Sequence, residues 1–128
     1  MSHPFAELIG LEVDVMEAGQ SACSITVTET LLNPHQVAHG AVLYALADTG
    51  MGAALYPMLG KNQLCATIDI NINYFAPVYE GLVRCETKIV NKGKRIVNLE
   101  SELYSGGELV AKANGHFAIF EPQAHHSN

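Results

Sequence analysis

One stretch constrains this chain more than any other. From His39 to about Tyr56 nearly every residue is apolar or small, and Asp48 is the only formally charged one. A run of that length predicts a helix rather than a strand, with Pro57 at its end. A helix apolar all round is buried, not an amphipath on a surface. It needs a sheet wrapped around it.

The rest of the chain predicts that sheet. Leu11 to Glu17 and Ala22 to Thr28 read as two strands around the turn Ala18-Gly19-Gln20-Ser21. Ala66 to Tyr74 alternates, with Ile68, Ile70, Ile72 and Tyr74 on one face and Asp69, Asn71 and Asn73 on the other. Leu82 to Val90, Arg95 to Tyr104 and Glu108 to Phe120 follow, joined by Asn91-Lys92-Gly93-Lys94 and Ser105-Gly106-Gly107. Consecutive hairpins make an antiparallel sheet. The expected fold class is α+β, one long central helix packed on an antiparallel sheet. Nothing divides the 128 residues, so a single domain over 1–128 is expected, with about 122–128 as a flexible tail.

Several function classes are disfavoured. A net charge of -6, with no basic stripe beyond Lys92, Lys94 and Arg95, argues against nucleic-acid binding. No apolar run approaches the ~18–20 residues that span a bilayer, and Met1–Glu7 lacks the pattern of a signal peptide, so a cytoplasmic protein without a membrane partner is expected. Cys23, Cys65 and Cys85 form no C-x-x-C pattern and read as buried free thiols. His35 and His39 lie four apart, but with Pro34 before them and no carboxylate nearby no metal site is expected.

Two features of the helix carry chemistry. A carboxylate among apolar residues is costly unless it is paired, hydrogen-bonded or protonated, and burial raises its pKa, so Asp48 is a candidate acid, base or nucleophile. The alternative is a structural Asp satisfied by backbone amides or Thr49. At the helix start, unsatisfied amides suit a developing oxyanion, and Gly40 lets a substrate approach the backbone. His39 either orients the substrate or caps the helix. Gly40 and Asp48 stand eight residues apart, roughly 12 Å along a helix. One carbonyl cannot be held by the first and attacked from the second in the same helix. If both act, two subunits related by a two-fold axis must share each site.

The stretch Asn33-Pro34-His35-Gln36-Val37-Ala38-His39-Gly40-Ala41, followed by Leu46-Ala47-Asp48-Thr49, resembles the signature of the phenylacetate-pathway type of hotdog thioesterases, within the 4-hydroxybenzoyl-CoA thioesterase superfamily. Thr67 through Pro77 and Gly93-Lys94-Arg95 are similar to that family too. The resemblance implies a hotdog fold and hydrolysis of an acyl- or aryl-coenzyme A, with no cofactor besides the coenzyme A of the substrate. It implies homodimers or homotetramers with sites at subunit interfaces. By position, Asp48 becomes the nucleophile or general base and Gly40 the amide donor to the thioester oxygen. Asn33 and His39 position or polarise the substrate, and Thr67 assists the attacking water.

Departures from the pattern are Gln36 and Ala41, where the family usually has Gly; Gln36 alters the loop or reaches the substrate. By strand parity Thr67 falls on the polar face with Asp69, and only a strand end or a bulge would turn it inward. Lys92, Lys94 and Arg95 are candidates for the phosphates of coenzyme A, against the reading of a solvated turn. Two other readings stay open: a hotdog enoyl-thioester hydratase, although Leu31-Leu32 stands where its motif wants an Asp, and a non-catalytic acyl-CoA-binding sensor.

Overall fold

Stiff, alternating segments and short glycine turns give this chain six strands around one long helix. The computed structural model describes residues 3–122; the expected C-terminal tail lies, but for its first residue, outside them. A short helix α1 (Pro4–Ile9) precedes β1 (Glu12–Glu17) and β2 (Gln20–Val27). After a 3₁₀ turn (Glu29–Leu31) and a loop comes α2 (Gly40–Leu55), ending in a second 3₁₀ turn (Tyr56–Met58). Then follow β3 (Leu64–Tyr74), β4 (Gly81–Lys92), β5 (Ile96–Ser105) and β6 (Glu108–Phe120). They form one six-stranded sheet in the order β1-β2-β4-β5-β6-β3, every neighbouring pair antiparallel. The expected α+β architecture is the one observed. No helix among the described residues is long and apolar enough to cross a membrane.

Three local features differ from expectation. Helix α1 was not foreseen, although its signals are present: His3 accepts the Ala6 amide through Nδ1, Pro4 opens the first turn, and Gly10 closes it at φ 75°. The β1–β2 turn is tighter than four residues, since Glu17 already pairs with Gln20. Gly19 takes φ 86° there and is tied to the Ala54 carbonyl at 2.9 Å. The β4–β5 loop is displaced along the chain. Lys92 belongs to β4 while Arg95, expected in a strand, lies in the loop closed by Gly93 N–H to Ile96 C=O at 2.9 Å. The Gly106-Gly107 hairpin is as read, both glycines at positive φ as a tight turn of this twist requires.

The sheet does not enclose α2 completely. Leu46, Ala47, Met51, Ala54 and Leu55 are fully buried against Val83, Cys85, Val97, Leu99 and Leu103. Burying the leucine, valine and methionine side chains among these contributes about 1.5–3 kcal/mol each and holds the helix on the sheet. Yet Ala41 and Tyr44 are exposed, and Asp48, Thr49 and Gly52 only partly covered. Ala41, Tyr44 and Asp48 follow one another at three- and four-residue spacing, so they form a single open stripe. The expectation of a helix buried on every side fails along this stripe in one chain, because the sheet does not curl past that flank.

Close helix–sheet contact depends on Gly115 of β6. A Cβ built there would meet the Met51 sulfur at 2.6 Å and the Asp69 carbonyl oxygen at 3.1 Å. Gly115→Ala is therefore expected to lower stability by about 1–3 kcal/mol through overpacking. Denaturant unfolding would register it as a reduced midpoint at constant slope. An unchanged midpoint would mean that Met51 yields without cost.

Candidate active site

The site begins in the loop before α2. Asn33 organises it: its Oδ1 accepts the amides of His35 at 2.8 Å and Val37 at 3.4 Å, and its own N–H donates to the Val37 carbonyl at 2.7 Å. Gln36 takes φ 67°, the left-handed conformation a glycine would adopt without strain. Gln36, where the family pattern usually has Gly, adopts it at the cost of local strain. Two further bonds fasten the loop to the body, Ala38 N–H to the Val78 carbonyl at 2.7 Å and His39 N–H to the Leu31 carbonyl at 2.9 Å.

His39 caps the helix. Its Nδ1 accepts the Ala41 amide at 3.0 Å and its carbonyl the Val42 amide at 2.9 Å. An accepting Nδ1 assigns the neutral ring's proton to Nε2, which is left as a donor. Two first-turn amides are thereby occupied, while the Gly40 amide has no acceptor among the described residues. It keeps the positive end of the helix dipole behind it. On the other side of Gly40, its carbonyl accepts the Tyr74 hydroxyl at 2.7 Å. Beside it lies a cavity of about 320 Å³, lined among others by Val37, Leu43, Tyr74, Phe75 and Val78.

Two turns further along α2, the Thr67 hydroxyl donates to Asp48 Oδ1 at 2.7 Å. Strand parity placed Thr67 on the other face; a bulge reverses it. The β3–β6 ladder pairs Thr67 with Phe117 and Asp69 with His116, so Ile68 is the extra residue. Ile68 is consequently 52% exposed instead of sharing the inner face with Ile70 and Ile72. On the outer face just past the bulge, His116 Nδ1 lies 2.8 Å from Asp69 Oδ1 and ties β3 to β6. Asp48 is partly covered in the single chain rather than sealed in an apolar interior, with its Oδ1 satisfied by Thr67.

Gly40 with His39, and Asp48 with Thr67, form two separate groups on one helix stripe, roughly 12 Å apart along the axis. The Asn33–Gln36 loop joins the first group. Lys92, Lys94 and Arg95 are exposed and carry no ion pair among the described residues. They lie toward the Asp48 end: Ile96 pairs with Ala118, and Ala118 pairs with Ala66, next to Thr67. Another cavity, of about 380 Å³, is lined by β1, β2, β4 and β5 residues such as Val15, Gln20, Arg84 and Glu100, and includes none of these groups.

The thiols are poor nucleophiles. Burial pushes Cys23 up to about 12 and Cys85 up to about 11, and both stay protonated at neutral pH. Cys65 is only partly buried, a correction to the expectation for it; burial and then the nearby Asp48 charge raise its pKa. No group of three or more His, Cys, Asp or Glu among the described residues could hold a metal ion. Sequence reasoning missed the Tyr74–Gly40 hydrogen bond and the Asp69–His116 tie, whose partners lie 34 and 47 residues away and leave no local signal.

Comparison with known proteins identifies the family and the fold. The model of the thioesterase superfamily matches residues 35–112. The acyl-coenzyme A thioesterase PaaI of Escherichia coli (strain K12) is 39% identical over 91 residues, 70% of this chain and 63% of that protein. Among solved structures, conserved protein PA5202 from Pseudomonas aeruginosa superposes with a TM-score of 0.86 at 32% identity, covering 94% of this chain and 96% of that one. A variant of the phenylacetic acid degradation protein PaaI from Thermus thermophilus gives 0.85 at 30% identity, with 91% and 98% covered. With the loop from His35 onward, the whole of α2 and β3 to β5 inside the matched region, this chain belongs to the thioesterase superfamily and carries its hotdog fold.

Proposed function

We propose that this protein hydrolyses the thioester of an acyl- or aryl-coenzyme A, releasing the free acid and coenzyme A, at a site shared by two subunits. The observation that carries the reading is the placement of an unoccupied helix-start amide and a Thr67-bonded carboxylate on one open stripe of α2. Beside that stripe runs β3, paired with β6 on one edge and, among the described residues, with no strand on the other. An unpaired edge next to a partly uncovered helix flank invites a second copy. A two-fold axis there sets the two α2 helices antiparallel and brings one subunit's Gly40 toward the other's Asp48. Assembly as a homodimer, or as a homotetramer of such pairs, belongs to this proposal.

The chemistry follows from the groups present. Asp48, oriented by Thr67 through Oδ1, keeps Oδ2 for a water proton; the water oxygen attacks the thioester carbon. In the direct route, Oδ2 attacks the carbon itself and water later cleaves the anhydride. In either route the carbonyl oxygen gains negative charge, and the Gly40 amide of the other subunit donates to it. Collapse breaks the carbon–sulfur bond, and the thiolate leaves as coenzyme A, taking the proton that Asp48 drew from water in the first route or one from solvent in the second. Asn33 shapes the loop that delivers His39 and Gly40, and the His39 Nε2–H is free to reach the substrate. Lys92, Lys94 and Arg95 are suited to phosphates at the Asp48 end. No cofactor is called for beyond the coenzyme A of the substrate. A cytoplasmic location belongs to the same reading, supported by three free cysteines.

The test is thiol release across short-chain, long-chain and aryl acyl-CoAs. Turnover of at least one class at a kcat on the order of 1 s⁻¹ or more is expected. Hydration of an enoyl-CoA without thiol release would favour the hydratase. Tight binding with no turnover anywhere would favour the sensor.

A further inference from the structure

We infer that Tyr74 is a positioning residue for this reaction, holding the start of α2 so that the Gly40 amide stays where the thioester oxygen needs it. The inference rests on the site proposed above and adds to it a residue outside the groups already assigned.

The first turn of a helix frays, and glycine at its first position frays most readily, having the largest backbone freedom to lose. Gly40 occupies that position, so the proposed oxyanion donor stands at the weakest point of α2. Two side chains counter this on a single peptide group. The Tyr74 hydroxyl donates to its oxygen, the Gly40 carbonyl, at 2.7 Å, and His39 Nδ1 accepts its hydrogen, the Ala41 amide, at 3.0 Å. Tyr74 closes β3, so the bond ties the helix start to the rigid sheet rather than to another loop.

Packing gives the same assignment independently. A Cβ built on Gly40 would stand 3.0 Å from the Tyr74 hydroxyl oxygen and 3.2 Å from the ring carbon bearing it. The phenol therefore fills the space a side chain at residue 40 would claim, and Gly40 and Tyr74 are matched to each other. Burial, and then the neighbouring Tyr44, raise the phenol's pKa, so its hydroxyl remains a donor through the neutral range. The ring also lines the cavity beside Gly40. Tyr74→Phe keeps that wall and removes only the hydrogen bond.

Tyr74→Phe is thus expected to separate binding from rate. Loss of one ordinary hydrogen bond lowers the fixed-over-frayed ratio of the helix start about fivefold. The kcat for the best acyl-CoA of the panel should fall measurably, by up to that factor where the frayed start predominates, with KM within twofold. A purely structural hydroxyl would lower the unfolding midpoint and leave the kcat of folded protein intact. Gly40→Ala, made in both backgrounds, supplies the second arm. With the hydroxyl gone, the added methyl meets one less obstacle, so the double variant should lose less than the product of the single losses. Should Tyr74→Phe fail to fold, Gly40→Ala alone still bears on the question, since displacing the phenol should lower kcat with KM held.

Wild-type kcat in folded Tyr74→Phe, or independent multiplication of the two losses, overturns the role of Tyr74 alone. A wild-type protein that releases no thiol from any acyl-CoA overturns the proposed reaction and this role with it.

Discussion

Asp48→Asn is expected to lose roughly 10²-fold or more in kcat while the protein folds and assembles normally. The fold should survive because the amide keeps an oxygen for the Thr67 hydroxyl, now 2.7 Å from Asp48 Oδ1. The flank is partly open, so no buried cavity or stranded polar atom results. What disappears is the anionic oxygen that takes the water proton or attacks the thioester carbon. Steady-state kinetics on the best substrate, with circular dichroism and sedimentation as controls for fold and assembly, reads this directly. A well-folded Asp48→Asn protein with near-normal kcat would remove the catalytic carboxylate from the account. KM should change little, since the carboxylate is assigned to the chemical step rather than to gripping the coenzyme A.

Much of this architecture is legible in the chain itself, for identifiable reasons. Helix α2 declares itself by length and composition, and Gly106-Gly107 by the positive φ that its tight turn demands. The distance between Gly40 and Asp48 needs only the helix rise, so a shared site can be argued before any coordinates. Thr67 shows where such reading stops. The extra residue is itself an isoleucine, Ile68, with Ile70 and Ile72 following it, so the alternation runs on through the bulge and cannot reveal it. The bulge is a property of β3 against β6, where Gly115 beside Ile70 leaves room for the helix and the kinked strand. The open stripe of α2 was illegible for a related reason. Apolar residues on all sides predict that something covers each side, without saying whether the cover comes from the same chain.

Gln36 is instructive in the opposite direction. It takes φ 67°, a conformation that favours glycine, and the loop is held by Asn33 and by bonds to Leu31 and Val78. Local anchoring outweighs a conformational penalty of about 1–2 kcal/mol at one residue. The side chain itself is exposed.

Sharing of each site between subunits is the central claim, and complementation tests it most directly. Asp48→Asn removes the carboxylate from one chain; Gly40→Val in the other places a branched side chain against Tyr74 and over the amide. Each homodimer should be nearly inactive. Different tags on the two chains, with sequential affinity steps, isolate heterodimers after co-expression. In a heterodimer one site pairs the intact Gly40 of the first chain with the intact Asp48 of the second, and the other site collects both defects. The predicted result is about half of the wild-type rate per dimer, recovered from two inactive parents. If Gly40 and Asp48 acted within one chain, each site of that heterodimer would carry one defect, and a verified heterodimer no more active than its parents would contradict the shared site.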